Sequence, residues 1–303
     1  LYAERLMPRA RHVEVQLVGD GSGAVSHLFE RDCTLQRRHQ KLIEIAPSPG
    51  LLPATRKRLF AAALRMAQAV RYRGLGTFEF LVDADTGDRF AFIEVNPRLQ
   101  VEHTVTEAVL GIDLVQAQLS IFGGKTLADL GLTQTEVPPV RGFALQMRLN
   151  VETMDGSGNP VPSAGKLGIY EMPTGPGVRV DGYGYAGYAT NPAFDSLLAK
   201  LIVSVPSSGE AGYRALLGKA ARVLEQTRVS GVDTNLSFLR AVLAHPGFAA
   251  NEVHTKFTEE HGAGLVAAAR ELQALADGRF TESGGAGESA DALVLEAGEV
   301  GVA

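Results

Sequence analysis

The chain has 303 residues, of which 45% are hydrophobic and 21% are charged, a composition typical of globular proteins. Its formal net charge of −5 gives no general electrostatic reason to bind nucleic acid or an anionic membrane, and its apolar runs are too short and too often interrupted by charge to predict a membrane span. The single cysteine, Cys33, excludes a disulfide framework or a cysteine-based metal site and favours a reducing, cytoplasmic location.

The first predicted elements are a hairpin and a helix. Residues 11–19 alternate apolar and polar side chains, as a half-buried strand does, and the turn sequence DGSG leads to a returning strand from Val25. The basic, proline-punctuated residues 36–50 are predicted to be irregular. Over residues 53–71 the apolar side chains share one helical face, and Pro53 stands at the expected start of that helix.

A second hairpin is predicted from residues 76–83 and 89–96, which flank the turn sequence ADTG. If this hairpin closes on its Thr-Gly pair, Glu79 lies opposite Glu94, and Asn96 lies on the same face of its strand as Glu94. The pattern therefore predicts two facing carboxylates with an amide beside them.

Facing carboxylates repel each other, and both acids stand among apolar neighbours in TFEFL and FAFIEVN, where an unpaired acid is unfavourable. A divalent cation resolves this conflict, because Mg²⁺ binds a few carboxylate or amide oxygens together with phosphate oxygens. The alternative is that the turn is displaced by one residue and both acids are solvated.

Polar residues continue to alternate after this hairpin at Arg98, Gln100 and Glu102 if the chain stays extended. An arginine offers a planar fork of donors suited to a small oxyanion, and a glutamate beside the bound anion could act as a base. A solvated strand end or a surface Arg–Glu pair explains the same pattern equally well.

Beyond the hairpin, a helix is predicted near residues 103–122, and a proline-marked junction at 131–142 suggests a domain boundary. Short strands follow, and helical patterns occupy residues 212–227 and 234–245. From Gly278 the chain is rich in Gly, Ala, Ser and Glu, which indicates a linker. The predicted division is 1–130, 131–260, and a helical or flexible linker tail over 261–303.

Four stretches in this order resemble biotin carboxylase, the ATP-grasp component of biotin-dependent carboxylases of the acyl-CoA and pyruvate type: RDCTLQRRHQKLIEIAPSP, GTFEFL, FIEVNPRLQVEH and FDSLLAKLI. The resemblance implies an α+β fold, in which the C-terminal half of an ATP-grasp fold is followed by a biotin carboxylase C-terminal domain. Since Leu1 is not preceded by the nucleotide-binding N-terminal part of that family, we expect the chain to be a fragment of a longer protein.

The resemblance also implies an activity. In that family ATP phosphorylates bicarbonate, and the carboxyphosphate, or CO₂ released from it, carboxylates biotin held on a carrier domain. The implied cofactors are ATP, Mg²⁺ or Mn²⁺, and biotin. The implied partners are a biotin carboxyl carrier domain and a carboxyltransferase domain or subunit, within a homo-oligomeric parent protein.

Site residues follow from the same resemblance, position by position. The metal ligands correspond to Glu79, Glu94 and Asn96. The nucleotide site, with its adenine hinge and apolar clamp, corresponds to Glu4, Leu6, His12, Gln36, His39, Leu81 and Ile93. The clamp residues, Leu81 and Ile93, stand in strands that we expect to be buried. The bicarbonate pocket corresponds to Lys41, Arg98, Gln100 and Val101. The general base corresponds to Glu102, the arginine that stabilises the biotin enolate to Arg148, and a further position near the site to Asp195.

Two other interpretations stay open. Another ATP-grasp ligase, of the carboxylate–amine type, would share the two facing carboxylates and the amide but would have no reason to carry RLQVEH and FDSLLAK together. A catalytically incomplete fragment could instead act only as an assembly module, because the Gly-rich flap and the phosphate-binding lysines expected upstream are missing. We therefore expect the fragment alone to be inactive.

Overall fold

The computed structural model describes residues 6–284, with side chains described as far as residue 275. The strands are β1 (Ala10–Asp20), β2 (Val25–Arg37), β3 (Gln40–Ala46), β4 (Arg73–Asp83), β5 (Phe90–Asn96), β6 (Phe143–Asn150), β7 (Glu152–Met154), β8 (Pro160–Pro162), β9 (Tyr170–Glu171), β10 (Val178–Gly182), β11 (Leu197–Val205) and β12 (Arg228–Val229). The helices are α1 (Pro53–Ala69), α2 (His103–Leu110), α3 (Leu114–Phe122), α4 (Gly209–Gln226), α5 (Leu236–Ala244), α6 (Pro246–Ala249) and α7 (Phe257–Gly284).

Eight of these strands form one antiparallel sheet in the order β10-β11-β6-β3-β2-β1-β4-β5. Helices and a large antiparallel sheet thus occur together, and the predicted α+β class is confirmed. Both predicted hairpins and the first helix are present, and α1 buries Leu59, Phe60, Ala63 and Ala67 as its periodicity predicts.

The sheet has an apolar and a polar face, because side chains alternate along each strand. On the apolar face, α1 packs against Val13 and Phe80, and α4, α5 and α7 pack against the opposite end of the sheet around Met147. On the polar face, α2 and α3 cover one end, where Val105 packs near Ala144. The centre of this face is left to charged and amide side chains.

The prediction that residues 36–50 are irregular is wrong, because Gln40–Ala46 form β3. Arg38 and His39 have left-handed backbone conformations, with φ of 47° and 65°, and make a two-residue turn between β2 and β3. This turn lacks the glycine or asparagine by which such turns are predicted. Burial of Leu42 and Ile43 in the core holds the strand in place.

The single helix predicted near residues 103–122 is also wrong, because α2 and α3 are separate and bent by 100° relative to each other. Gly111 ends α2 in the left-handed conformation, with φ of 70°, and Asp113 caps α3 by accepting a hydrogen bond from the backbone N–H of Gln116 at 2.7 Å. Among residues 6–284, no single helix is long and apolar enough to cross a membrane; only this bent pair reaches that length and composition.

The predicted boundary at residue 131 falls in the loop before β6, and the sheet continues across it. In the β3–β6 pair, Ile43 lies opposite Met147. The division into three regions stays a prediction. Within the predicted linker tail, residues 261–284 lie in α7, and residues 285–303 lie outside the described part of the chain.

Candidate functional site

Buried charged and amide side chains meet at the centre of the polar face. In register, Glu14 on β1 lies between Arg31 on β2 and Glu79 on β4, so all three point to the same side of the sheet. We call this group the polar cluster, and its members are His12, Glu14, Arg31, Gln36, Lys41, Glu44, Glu79, Gln100, Glu102 and Arg148.

Lys41, at the start of β3, is surrounded by three carboxylates. Its Nζ lies 2.5 Å from Glu102 Oε1, 2.6 Å from Glu14 Oε2 and 3.3 Å from Glu79 Oε1. Burial opposes the charged form of Lys41, but the surrounding negative charge outweighs burial and raises the pKa of this lysine. Lys41 is therefore held as a cation at the centre of the cluster.

Glu102 lies between two cations. Its Oε1 accepts from Lys41, and its Oε2 accepts from Nη2 of Arg148 at 3.0 Å. The same guanidinium donates from Nε to Glu44 Oε1 at 2.6 Å. Burial disfavours the charged form of Arg148, but these two glutamates raise its pKa. Burial raises the pKa of Glu44, and Arg148, which is shared with Glu102, offsets only part of that effect.

Glu79 joins the cluster to His12 and Gln36. His12 Nε2 lies 2.8 Å from Glu79 Oε2, and Gln36 Nε2 lies 3.2 Å from His12 Nδ1. Because Gln36 Nε2 also donates to the carbonyl of Cys33, it is the donor to Nδ1, and the neutral imidazole carries its proton on Nε2. Burial opposes ionisation of Glu79, but the hydrogen bond from His12 and the charge of Lys41 lower its pKa to about 2.

The predicted pairing of Glu79 with Glu94 is confirmed, although the turn differs from the one that predicted it. Near the turn Val82 pairs with Phe90, one residue out of the expected register, and a β-bulge after Glu79 restores the pairing. The expectation that Glu94 is embedded among buried residues is wrong. Strand β5 is the edge of the sheet, and Glu94 is exposed.

The donor set at this edge fits Mg²⁺. The amide of Asn96 donates to Glu79 Oε1 and to Glu94 Oε1 at 3.0 Å each, so the two carboxylates approach a common point. Exposure of Glu94 leaves room for water or phosphate oxygens, which Mg²⁺ retains in proteins. His12, Glu14 and Glu79 also bring ligand atoms within 4.8 Å of one another, but Lys41 lies among those carboxylates and opposes a cation there.

The loop between β5 and α2 carries the other predicted anion-binding groups. Gln100 is buried and donates to Glu79 Oε1 at 2.9 Å. The carbonyl of Val101 accepts from Lys200 at 3.1 Å. Arg98 is exposed and lies 3.4 Å from the side-chain oxygen of Asn96. The guanidinium of Arg98 thus lies at the open edge of the sheet, near Glu79 and Glu94.

Other predicted site residues lie away from these contacts. Leu6 is 77% exposed, and His39 is exposed at the turn between β2 and β3. Leu81 is half-buried opposite His12, whereas Ile93 is 43% exposed, so the expectation that both stand in buried strands is wrong for β5. Asp195 accepts a hydrogen bond from the backbone N–H of Leu197, and no contact among the described residues joins it to the cluster. Glu4 lies outside the described residues.

Sequence reasoning missed three charged members of the cluster: Glu14, Arg31 and Glu44. The stretches VEV and IEI each place an acid between apolar residues in a strand, the same signal that singled out Glu79. With Glu94 and Arg98 of the edge included, the site brings five carboxylates together with four cations, and this excess of negative charge favours a divalent cation at the edge.

Comparisons with known proteins agree with this architecture. The family described as "Carbamoyl-phosphate synthase L chain, ATP binding domain" matches residues 1–130, and the family described as "Biotin carboxylase C-terminal domain" matches residues 146–260. Pyruvate carboxylase from Aspergillus niger is 45% identical over 261 residues, which make up 86% of this chain and 21% of that protein.

Two solved structures are also similar. The biotin carboxylase domain of a single-chain bacterial carboxylase has a TM-score of 0.81 and 48% identity, over 89% of this chain and 60% of that one. A single-chain, multi-domain long-chain acyl-CoA carboxylase has a TM-score of 0.81 and 46% identity, over 87% of this chain and 27% of that one. The chain thus spans about a fifth of the length of the curated relatives it matches.

Proposed function

Because the chain belongs to the biotin carboxylase family, we propose that the protein carrying it catalyses the ATP-dependent carboxylation of biotin with bicarbonate. In this proposal carboxyphosphate, or CO₂ released from it, carries the carboxyl group to a biotin held on a carrier domain. A carboxyltransferase domain or subunit then passes that group to the final acceptor.

The observation that carries the proposal is the position of Glu102 between two cations. Each of its carboxylate oxygens contacts one cation, Lys41 or Arg148, and Gln100 and Arg98 lie on the same loop towards the open edge. We assign Glu102 as the base that takes the proton of bicarbonate. Lys41 and Arg98 then hold the oxyanion, since cations are required before one anion can attack another.

Mg²⁺ or Mn²⁺, held by Glu79, Glu94 and Asn96, would neutralise phosphate charge on the bound nucleotide. His12, fixed between Gln36 and Glu79, joins that region to the rest of the cluster. Arg148 is assigned to the negative charge that develops on the biotin ring after its deprotonation. These roles explain why so many charges are buried on one face of the sheet.

The test is release of ADP by the full-length protein that carries this chain, with MgATP, with and without bicarbonate, and with and without free biotin. We expect hydrolysis that requires bicarbonate and rises with biotin, and a loss of both responses in Glu102→Gln. ATP use indifferent to bicarbonate and biotin would favour a carboxylate–amine ligase. A folded protein that binds no MgATP would favour an assembly module.

A further inference from the structure

Arg31 is the fully buried guanidinium of the polar cluster, and each of its donor nitrogens has an acceptor. An arginine offers five N–H donors in a fixed planar fork and has no acceptor. Nε donates to a carboxylate at 2.5 Å, Nη1 to two oxygens at 2.8 and 2.9 Å, and Nη2 to two oxygens at 3.2 Å each. In that order the acceptors are Glu14, Gln16, Thr106, Thr77 and Gln100.

The first consequence concerns the amide of Gln100. Because Arg31 can only donate, the side-chain oxygen of Gln100 must face it, at 3.2 Å from Nη2. The NH₂ group of Gln100 then points the other way and donates to Glu79 Oε1 at 2.9 Å. Arg31 and Glu79, one only a donor and the other only an acceptor, therefore hold this amide in a single orientation between them.

The second consequence concerns Glu14. Arg31 binds its Oε1, which leaves Oε2 to accept from Lys41 Nζ at 2.6 Å. Both Glu14 and Arg31 have no exposed surface, so neither can exchange its partner for water. The buried ion pair of Arg31 and Glu14 thus sets the position of the Lys41 ammonium.

We propose that Arg31 is a positioning residue for the bicarbonate pocket, acting through the Gln100 amide and through Glu14 on Lys41. This inference rests on the proposed function, which assigns that pocket. A lysine at position 31 would keep the charge but would place its three donors on one nitrogen, so it could not reproduce the directions in which the planar guanidinium donates to Glu14 and to Gln100.

The experiment compares Arg31→Lys with a matched control, Arg11→Lys, in the full-length protein. Arg11 is also buried and bound to a carboxylate, Asp32 Oδ2 at 2.7 Å, but its other partner is Asn251, outside the cluster. Both variants should lower the melting temperature. Only Arg31→Lys should raise the KM for bicarbonate, by at least about tenfold, while the KM for MgATP changes less than about threefold.

Thr106→Val is the second variant, and it tests the positioning role of Arg31 if Arg31→Lys does not fold. It keeps the shape of the side chain but removes one acceptor of the Arg31 Nη1 group, at 2.9 Å. Its KM for bicarbonate should rise about threefold or more. In a double-mutant cycle, Arg31→Lys should raise the KM for bicarbonate less in the Gln100→Leu background than in the wild type, because part of its effect passes through that amide.

Two results would overturn the inference separately from the proposed function. If the wild type depends on bicarbonate and both Arg31→Lys and Thr106→Val keep its KM for bicarbonate, Arg31 has only a structural role. The same conclusion follows if Arg11→Lys raises that KM equally. If the wild type hydrolyses ATP without regard to bicarbonate, the proposed function fails, and this inference fails with it.

Discussion

Lys41 Nζ lies 2.5 Å from Glu102 Oε1, and the same ammonium also contacts Glu14 and Glu79. One cation thus keeps three buried carboxylates compatible with a folded core. Removing one partner of a buried ion pair leaves an uncompensated charge, which is strongly destabilising.

We therefore expect Lys41→Met to lower the free energy of unfolding by about 2 kcal/mol or more. The cost stays below that of an isolated buried pair because Arg31, His12 and Arg148 still contact the carboxylates. Lys57→Met, an exposed position on α1, is the matched control and should change the free energy by less than about 0.5 kcal/mol. Urea denaturation at neutral pH measures both, and equal losses would contradict the role of Lys41.

Glu94→Gln should affect the stability of the protein in opposite directions without and with magnesium. In EDTA the substitution removes a like charge opposite Glu79, so it should stabilise the protein by roughly 0.5 kcal/mol. In millimolar MgCl₂ the wild type should gain melting temperature, and the variant should gain less, because it has lost a carboxylate ligand.

The control for this experiment is Glu271→Gln, which removes an exposed acid on α7. NaCl of matched ionic strength separates ion binding from screening. A magnesium response that is the same in Glu94→Gln and in Glu271→Gln would remove Glu94 from the metal site.

Local pattern was sufficient to predict several of the strands that form the site, but not β3, which carries Lys41 and Glu44. Strict alternation predicted β1, because a strand has a period of two residues, whereas the pairing of Glu79 with Glu94 was predicted from an assumed Thr-Gly turn and arises in the structure through a β-bulge. Local pattern could not predict β3, whose turn uses left-handed Arg38 and His39, nor the exposure of β5, which depends on where that strand falls in the sheet.

The partners of the buried charges were harder to predict. Arg148 meets Glu44 across 104 residues of sequence, and Arg31 meets Gln100 across 69. These contacts require the strand order of the whole sheet, which places β6 beside β3 and β2 beside β1. The sequence motifs therefore indicated which residues carry the chemistry. The buried residues that position them could be identified only from the three-dimensional structure.

The break between α2 and α3 can be tested at one glycine. Gly111 has a φ of 70° and open space where a Cβ would stand, so Gly111→Ala should destabilise the protein by roughly 1–2 kcal/mol through backbone strain alone. Gly264→Ala, in the helical and exposed part of α7, also meets open space and should stabilise by about 0.5–1 kcal/mol. If Gly111→Ala stabilises the protein as Gly264→Ala does, the two-helix description is wrong.

We expect the stability of the protein to fall at acid pH because of His27. Its ring stacks on Phe60 at 4.0 Å between centroids, and burial lowers the pKa of this histidine from 6.5 to about 4. Between these values the unfolded chain binds a proton that the folded chain does not, so stability falls as the pH drops from about 6.5 to about 4. We expect His27 to contribute about 1–2 kcal/mol of this loss, since its ring is only partly buried.

His27→Phe keeps an aromatic stack and removes the titration. The difference in unfolding free energy between wild type and variant should therefore shift in favour of the variant as the pH falls from 7 to 4. The matched control is His39→Asn, which removes an exposed histidine and retains a residue that tolerates the left-handed turn. An unchanged slope in His27→Phe would show that His27 is not the titrating group.

The contribution of Arg148 to stability can be separated from its contribution to turnover. Arg148→Met leaves Glu44, which has no exposed surface, without its cation and should lower the free energy of unfolding by about 3 kcal/mol. Adding Glu44→Gln removes the stranded charge and should restore more than half of that loss. The amide of Gln146 contacts Glu44 Oε2 at 3.0 Å in the wild type and can donate to a glutamine oxygen in the same way.

Turnover should not follow stability in these two variants. A preorganised donor at a developing negative charge contributes roughly 3–4 kcal/mol, and the double variant still lacks it. We therefore expect biotin-dependent ADP release by the full-length protein to stay at least about tenfold below wild type, or ~1.4 kcal/mol, in Arg148→Met/Glu44→Gln. Turnover that recovers together with stability would assign Arg148 to the fold and leave the charge on biotin to another group.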